Sequence, residues 1–290
     1  MPNPIALAIH GGAGNLARYA GTGRLEQAEE MLRSLIQDLH QQLKGGSPAI
    51  EIATQAVIAM EDSGLFHAGK GSSPNSKGFV ELDASIMHGR HRTAGSIAAA
   101  TSIKNPIITA RYVMEQTEQV LIVGSEADLL AELSGSEIVG PDYFVPCDEI
   151  GAALPSMGTV GAVVLDVRGD IVAATSTGGT LRKRAGRVGD APIIGAGTYA
   201  VNNIGGISCT GVGEYFLRVS AASRAIARMD LLGESAGAAS GSILSEITEL
   251  GGSGGMIVID QRGTVSMPFS TSGMYRASVD AAGRVVVGCL

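Results

Sequence analysis

Four short stretches combine side chains that can do chemistry with backbone that can present them. Gly158-Thr159-Val160-Gly161-Ala162-Val163 puts a threonine at the start of a strand-like run. Thr175-Ser176-Thr177-Gly178-Gly179 closes the next such run, and Gly186-Arg187-Val188-Gly189-Asp190 reads as a glycine-rich loop. Ser208-Cys209-Thr210-Gly211-Val212-Gly213 precedes a helical pattern. A threonine hydroxyl is a poor nucleophile and needs a nearby base. A chain-terminal threonine carries its own, an α-amine with an ordinary pKa of about 7.7–8.0. Nucleophile and base can thus share one residue, on condition that the Gly158–Thr159 bond is cleaved. Gly158 suits that step, because a residue without Cβ tolerates strained backbone.

Other chemistries find less support. There is no G-x-S-x-G and no H-E-x-x-H, and His10, His40, His67, His88 and His91 fall in no triad or metal pattern. His10 reads as a buried, hydrogen-bonded core residue. Cys147, Cys209 and Cys289 make no C-x-x-C pair, so they read as reduced thiols. A net charge of -7 without a basic run argues against a nucleic-acid partner. No stretch approaches the roughly 18 apolar residues that span a bilayer, and Met1 leads into Ile5–Ile9 without a basic segment. The expectation is a soluble cytoplasmic protein with no membrane partner. Gly12-Ala13-Gly14 lacks the full dinucleotide-binding spacing.

The elements that must position these residues can be read from periodicity. A buried strand over Ile5–Ile9 is expected to be cut off by the glycines of His10–Gly14. Leu25 to Leu43 recur at helical spacing until Gly45, and Ser47-Pro48 reads as the cap and first residue of a second helix, to about Met60. Strands are expected over Phe79–Met87, Ser96–Thr101, Val120–Val123, Thr159–Leu165, Ile171–Thr177, Pro192–Ala200, Gly206–Cys209, Met256–Asp260, Thr264–Phe269 and near Val285–Val287. Further helices are expected over Asn105–Met114, Glu126–Leu133, Tyr215–Leu232 and Glu234–Leu250. From Gly135 to Gly158 periodicity dissolves, as in a linker. Strands in runs and helices in pairs imply antiparallel sheets between helix layers, not βαβ alternation.

The motifs together resemble the isoaspartyl peptidase/L-asparaginase family, plant-type asparaginases of the N-terminal-nucleophile hydrolase superfamily. The likeness extends over nearly the whole chain: His10–Gly14, Leu65–Gly71, Glu81-Leu82-Asp83-Ala84, Asn105-Pro106, the segment at Thr159, Gly186–Asp190 and Gly273-Met274-Tyr275-Arg276. It implies an α+β fold, a four-layer αββα sandwich, forming one domain over 1–290. Maturation would give an α chain, 1–158, with a linker over about 135–158, and a β chain, 159–290. Two αβ units would pair as a dimer. By the same resemblance, Thr159 attacks and Thr177 assists cleavage or turnover. The Thr210 hydroxyl and the Gly211 N–H form the oxyanion hole. Arg187 grips the substrate α-carboxylate and Asp190 the α-ammonium, with Val188, Gly189, Val212, Gly213 and His67 lining the site. β-Aspartyl dipeptides and L-asparagine share the aspartyl unit so held. No cofactor is implied for catalysis. A structural sodium is implied on backbone carbonyls of Met60, Glu61, Ser63, Phe66, Ala68 and Lys70.

The chain also departs from the family pattern. His67 stands where asparagine is expected, His88 replaces a frequent aspartate, Thr180-Leu181-Arg182 follows Gly179, and Val212 replaces a common histidine. The linker is shorter than in many members. These departures bear on substrate preference and turnover. Glycine before Thr159, where glycosylasparaginases usually carry aspartate, favours the isoaspartyl peptidase branch. Two alternatives stay open: a glycosylasparaginase-like threonine hydrolase for bulkier amides, and an uncleaved, non-catalytic homologue.

Overall fold

The structure, a computed structural model, describes residues 3–145 and 158–290. Much of the expected linker, Cys147 included, lies outside the described residues. The strands are β1 (Ala6–Gly14), β2 (Leu82–His88), β3 (Thr93–Ala100), β4 (Leu121–Val123), β5 (Val160–Leu165), β6 (Ile171–Thr177), β7 (Thr198–Val201), β8 (Gly205–Gly211), β9 (Gly254–Asp260), β10 (Val265–Ser266), β11 (Gly273–Val279) and β12 (Val285–Gly288). The helices are α1 (Arg24–Lys44), α2 (Ala49–Asp62), α3 (Pro106–Gln116), α4 (Ser125–Ser134), α5 (Gly213–Val219), α6 (Ala221–Leu232) and α7 (Ala236–Glu249).

Two sheets form, an eight-stranded one in the order β12-β11-β1-β5-β6-β2-β3-β4 and a four-stranded one in the order β10-β9-β8-β7. All pairings are antiparallel except β3 with β4. Helices α1, α2 and α3 pack on the large sheet, α6 and α7 on the small one, and the sheets pack on each other through β1, β5, β6, β8 and β9. Two apolar cores result. In α1, the buried Leu25, Ala28, Leu32, Ile36, Leu39 and Leu43 recur every three or four residues, so one face of the helix meets the large sheet. Ile207, Cys209, Met256 and Val258 alternate onto the helices that cover the small sheet. Between the sheets lie Ala8, Met87, Val163, Ala173, Ile257 and Ile259.

Several expectations need correction. The glycines after Ile9 do not end the first strand. β1 runs on to Gly14 with a bulge between His10 and Gly12. A Cβ on Gly11 would lie 2.3 Å from the Phe66 ring, so close approach, not a turn, requires that glycine. Pro48 is the N-cap of α2, and no side chain at that position caps it. The distant Asp166 does so instead: its Oδ2 accepts from Ala49 N at 2.9 Å, while Oδ1 accepts from Arg168 N (2.8 Å) and Asp170 N (3.1 Å). The helix expected over Tyr215–Leu232 is two, α5 and α6, because Ser220 adopts φ 51°. The first half of Pro192–Ala200 is turns, held by Ile193 N→Asp190 O and Ala196 N→Ile193 O. β10 is much shorter than Thr264–Phe269. β11 was not expected as a strand, yet it pairs with β1 along its length.

Asp166 is fully buried and ties the β5–β6 turn to the start of α2. Asp166→Ala should therefore cost about 1–3 kcal/mol, since it orphans three buried or half-buried donors. Urea unfolding would measure this, and a loss below about 0.5 kcal/mol would contradict it.

Candidate active site

The pairing of β5 with β6 decides where Thr159 sits. Val160 faces Ser176 in the register, so the residues just beyond, Thr159 and Thr177, come opposite each other at one end of the ladder. Thr159 Oγ1 donates to Thr177 Oγ1 at 3.2 Å, and Thr177 Oγ1 donates to the Gly158 carbonyl at 2.9 Å. Gly179 N donates to the same Thr177 hydroxyl at 2.9 Å. All three polar groups are buried. The hydroxyl of Thr177 thus contacts both the side chain of Thr159 and the carbonyl of the bond before it.

Gly158 itself is enclosed by His67. A Cβ at 158 would lie 2.6 Å from His67 Cδ2 and 2.8 Å from its Cβ. His67 is buried, and its Nδ1 lies 3.2 Å from Ser73 Oγ. The residue that departs from the expected asparagine therefore forms one wall of the site.

Opposite stands β8. Thr210 is fully buried, and its Oγ1 accepts from Ala13 N on β1 at 3.3 Å. Its hydroxyl thus crosses from the small sheet to the large one while keeping a proton to donate. Gly211 ends β8, Val212 caps α5 and Gly213 begins it.

Arg187 and Asp190 come together, with a third residue that sequence reasoning missed. The Arg187 Nε and Nη2 donate to both oxygens of Glu214, at 2.8 and 3.0 Å, in a fork-to-fork pair. Glu214 occupies the first turn of α5, and its position right after the Thr210–Gly213 segment was the available signal. A Cβ on Gly213 would meet Asp190 Oδ1 at 2.6 Å and Arg187 Nη2 at 2.8 Å, and one on Gly189 would meet Arg187 Nη1 at 2.7 Å. The two glycines leave a slot that brings cation and carboxylate together. Val188 is half-buried. Asp190 Oδ2 is buried without a hydrogen-bond partner among the described residues. Burial pushes this carboxyl up to about 7, against the downward pull of its own backbone and of Arg187. Burial also lowers Arg187, but the Glu214 partnership outweighs it and the net shift is upward. The site thus offers an anion-binding fork beside an unpartnered carboxyl.

The segment that resembles a sodium loop lies apart from this slot, between α2 and Gly71. Met60 O accepts from Ser63 Oγ (2.8 Å), Phe66 O from Ala68 N (2.9 Å), Ala68 O from Gly71 N (3.2 Å) and Lys70 O from Val145 N (2.8 Å). A carbonyl oxygen has two lone pairs, so each retains one for a hard cation. The Glu61 side chain is committed elsewhere, to Ser176 Oγ, Asn105 Nδ2 and Ile107 N. Burial raises it to about 8. Among the described residues no cluster of His, Cys, Asp or Glu side chains could hold a metal ion, so any cation here would rest on carbonyls.

Comparison with known proteins decides the family. A family model described as Asparaginase matches residues 3–154 and 148–288. The chain belongs to this family. It is 41% identical to the isoaspartyl peptidase of Escherichia coli strain K12, over 93% of this chain and 91% of that one. With an isoaspartyl peptidase of Salmonella typhimurium it shares 39% identity, over 95% of each. An isoaspartyl peptidase/L-asparaginase of Xenopus laevis is 35% identical, over 94% of this chain and 91% of that protein. No described helix is long and apolar enough to cross a membrane.

The Asp190 carboxyl gives a pH signature. Its folded value, about 7, exceeds the ordinary 3.8, so the folded chain binds more protons in that window. Stability from the neutral form is present at low pH and lost as pH rises through the window. Asp190→Asn should flatten this part of the stability–pH curve, followed by urea unfolding. A curve superimposable on wild type would refute the assignment.

Proposed function

We propose that this member of the asparaginase family is an autocleaving amide hydrolase for β-aspartyl dipeptides and L-asparagine, with Thr159 as nucleophile. The observation that carries the reading is the row of atoms at the Gly158–Thr159 bond. Thr177 hydrogen-bonds the Gly158 carbonyl oxygen, where negative charge develops on attack, and it also receives the Thr159 hydroxyl.

In maturation the Thr159 oxygen adds to the Gly158 carbonyl carbon. The C–N bond breaks, the nitrogen takes the hydroxyl proton, and an ester joins Gly158 to Thr159. Water then cleaves that ester, leaving the Gly158 carboxylate and a free Thr159 with its α-amine. In turnover that amine removes the hydroxyl proton as the oxygen attacks the substrate amide. The departing amine or ammonia takes the proton, and water hydrolyses the acyl-enzyme. The Thr210 hydroxyl and the Gly211 N–H receive the oxyanion. Arg187 takes the α-carboxylate through the donors that Glu214 leaves, and Asp190 takes the α-ammonium, whose charge holds its carboxyl ionised. Val188, Gly189, Val212, Gly213 and His67 line the aspartyl site.

The fold supports a four-layer αββα sandwich of the N-terminal-nucleophile type, one domain over 1–290. β1, from the first half of the chain, lies between β11 and β5 from the second, so the α chain, 1–158, and the β chain, 159–290, stay interleaved after cleavage. Two such units pair as a dimer. Sodium on the free lone pairs of the Met60–Lys70 carbonyls would brace the loop that carries His67, and catalysis would use no cofactor. The buried, unpaired thiols of Cys209 and Cys289 suit a cytoplasmic setting.

Purified wild-type chain should show two masses divided at Thr159, and Thr159→Ala one mass and no hydrolysis of β-aspartyl-leucine. A fully active, uncut preparation would overturn the reading. Arg187→Ala should still cleave while KM rises about 100-fold or more, from loss of a buried ion pair worth roughly 3 kcal/mol. An unchanged KM would remove Arg187 from the clamp.

A further inference from the structure

Beneath the site a belt of polar side chains crosses the otherwise apolar space between the sheets. Register places His10, Gly161, Thr175 and Ser85 in one row across β1, β5, β6 and β2. Ser208 and Thr198 face each other on the small sheet. The next row away from the site is Ala8, Val163, Ala173 and Met87, and the next row toward it holds Thr177 and Asp83. The belt is therefore the floor of the site.

Its five polar residues are fully buried and joined without a gap. Ser85 Oγ donates to the Ala191 carbonyl at 2.6 Å and to Thr198 Oγ1 at 2.8 Å. Thr198 Oγ1 lies 2.5 Å from Thr175 Oγ1, which lies 2.8 Å from Ser208 Oγ, which lies 2.9 Å from His10 Nε2. Gly161 makes the last link feasible, because a Cβ there would lie 2.1 Å from Ser208 Oγ and 2.4 Å from His10 Nε2.

Each hydroxyl has one proton to give. Ser85 is the donor in both its contacts, which leaves the Thr198 proton for Thr175, that of Thr175 for Ser208, and that of Ser208 for His10 Nε2. A neutral imidazole that accepts at Nε2 carries its proton on Nδ1. Burial presses His10 down to about 3, so it stays neutral, while the Thr159 backbone draws it upward. Only an acceptor does that to an imidazole, so the group is the Thr159 carbonyl. His10 Nδ1 is buried and makes no hydrogen bond of good geometry among the described residues, so this carbonyl is near without being aligned.

We propose that the belt is a one-way hydrogen-bond string that holds His10 as its Nδ1–H tautomer toward the Thr159 carbonyl. It thereby locks the nucleophile strand to the turn that carries Asp190. His10, Ser208, Thr175, Thr198 and Ser85 are positioning residues, and none is assigned a contact with substrate. A cost attends such a string, since buried polar groups are tolerated only when all are satisfied. An apolar row would fill the space but could not fix the spacing of two loops from opposite sheets.

This inference rests on the assignment of Thr159 and Asp190 above, and its test separates the two. In wild-type protein labelled with 15N-histidine, His10 should show a protonated Nδ1 and a bare Nε2; the reverse pattern would overturn the proposal whatever the activity. Thr198→Val keeps shape and removes the central hydroxyl. It should cleave, fold and lose about five- to tenfold in kcat/KM, the scale of one net hydrogen bond, while Thr198→Ser should restore activity. Folded Thr198→Val with wild-type kcat/KM would overturn the proposal. If that variant does not fold, Ser85→Ala should raise KM with little change in kcat, and an unchanged KM would equally overturn it. Failure of the wild-type chain to cleave or hydrolyse would instead remove the nucleophile assignment, leaving the tautomer measurement standing.

Discussion

The antiparallel ladder between β5 and β6 is the constraint on which the rest depends. A strand pair places every second side chain on the same face, and a slip of one residue would exchange the faces. With Val160 opposite Ser176, Thr159 and Thr177 share the inner face, and the Thr177 hydroxyl reaches the carbonyl before Thr159. Any other register would bury the threonines against the helices and direct Val160 and Ser176 at the site. The ladder is held in turn by Asp166, whose carboxylate closes the β5–β6 turn and caps α2 at once.

Chemistry then follows from depth. The outermost row on the inner face carries the reacting threonines, the second the polar belt, and the third the apolar contacts that bind the sheets. Few waters reach such a site, so charges and dipoles act with little screening. The same dryness explains the raised Asp190 carboxyl and the bidentate hold of Glu214 on Arg187. A buried guanidinium without a partner would be costly. Glu214 satisfies that demand at the half-exposed edge, and Asp190 keeps a lone pair free inside.

Cleavage of such a chain need not loosen it. Strands of the first half lie between strands of the second in the large sheet, so backbone hydrogen bonds tie the two pieces across several interfaces. Only the small sheet is built wholly from residues after 159. The glycine at 158 and the imidazole of His67 are matched sterically, as no larger residue fits between that ring and the strand end.

The sequence by itself determined what depends on neighbours a few residues away. Helical spacing from Leu25 to Leu43 defined α1, and Ile171–Thr177 was legible to the residue, because local periodicity and flanking turns carry that information. The motif resemblance singled out Thr159, Thr177, Arg187, Asp190 and Thr210, which the structure gathers at one end of the sheets. Tertiary structure decided the rest. β11 carries Arg276 and Ser278 in a strand buried along almost its whole length, so its pattern is not that of an alternating strand. Gly11 looked like a turn because the Phe66 ring that needs its space lies 55 residues away in sequence (66 − 11). Glu214 as the holder of Arg187, Asp166 as a cap and the belt from His10 to Ser85 join residues far apart in the chain. Such contacts exist only once register and packing bring their strands together, and no local pattern encodes them.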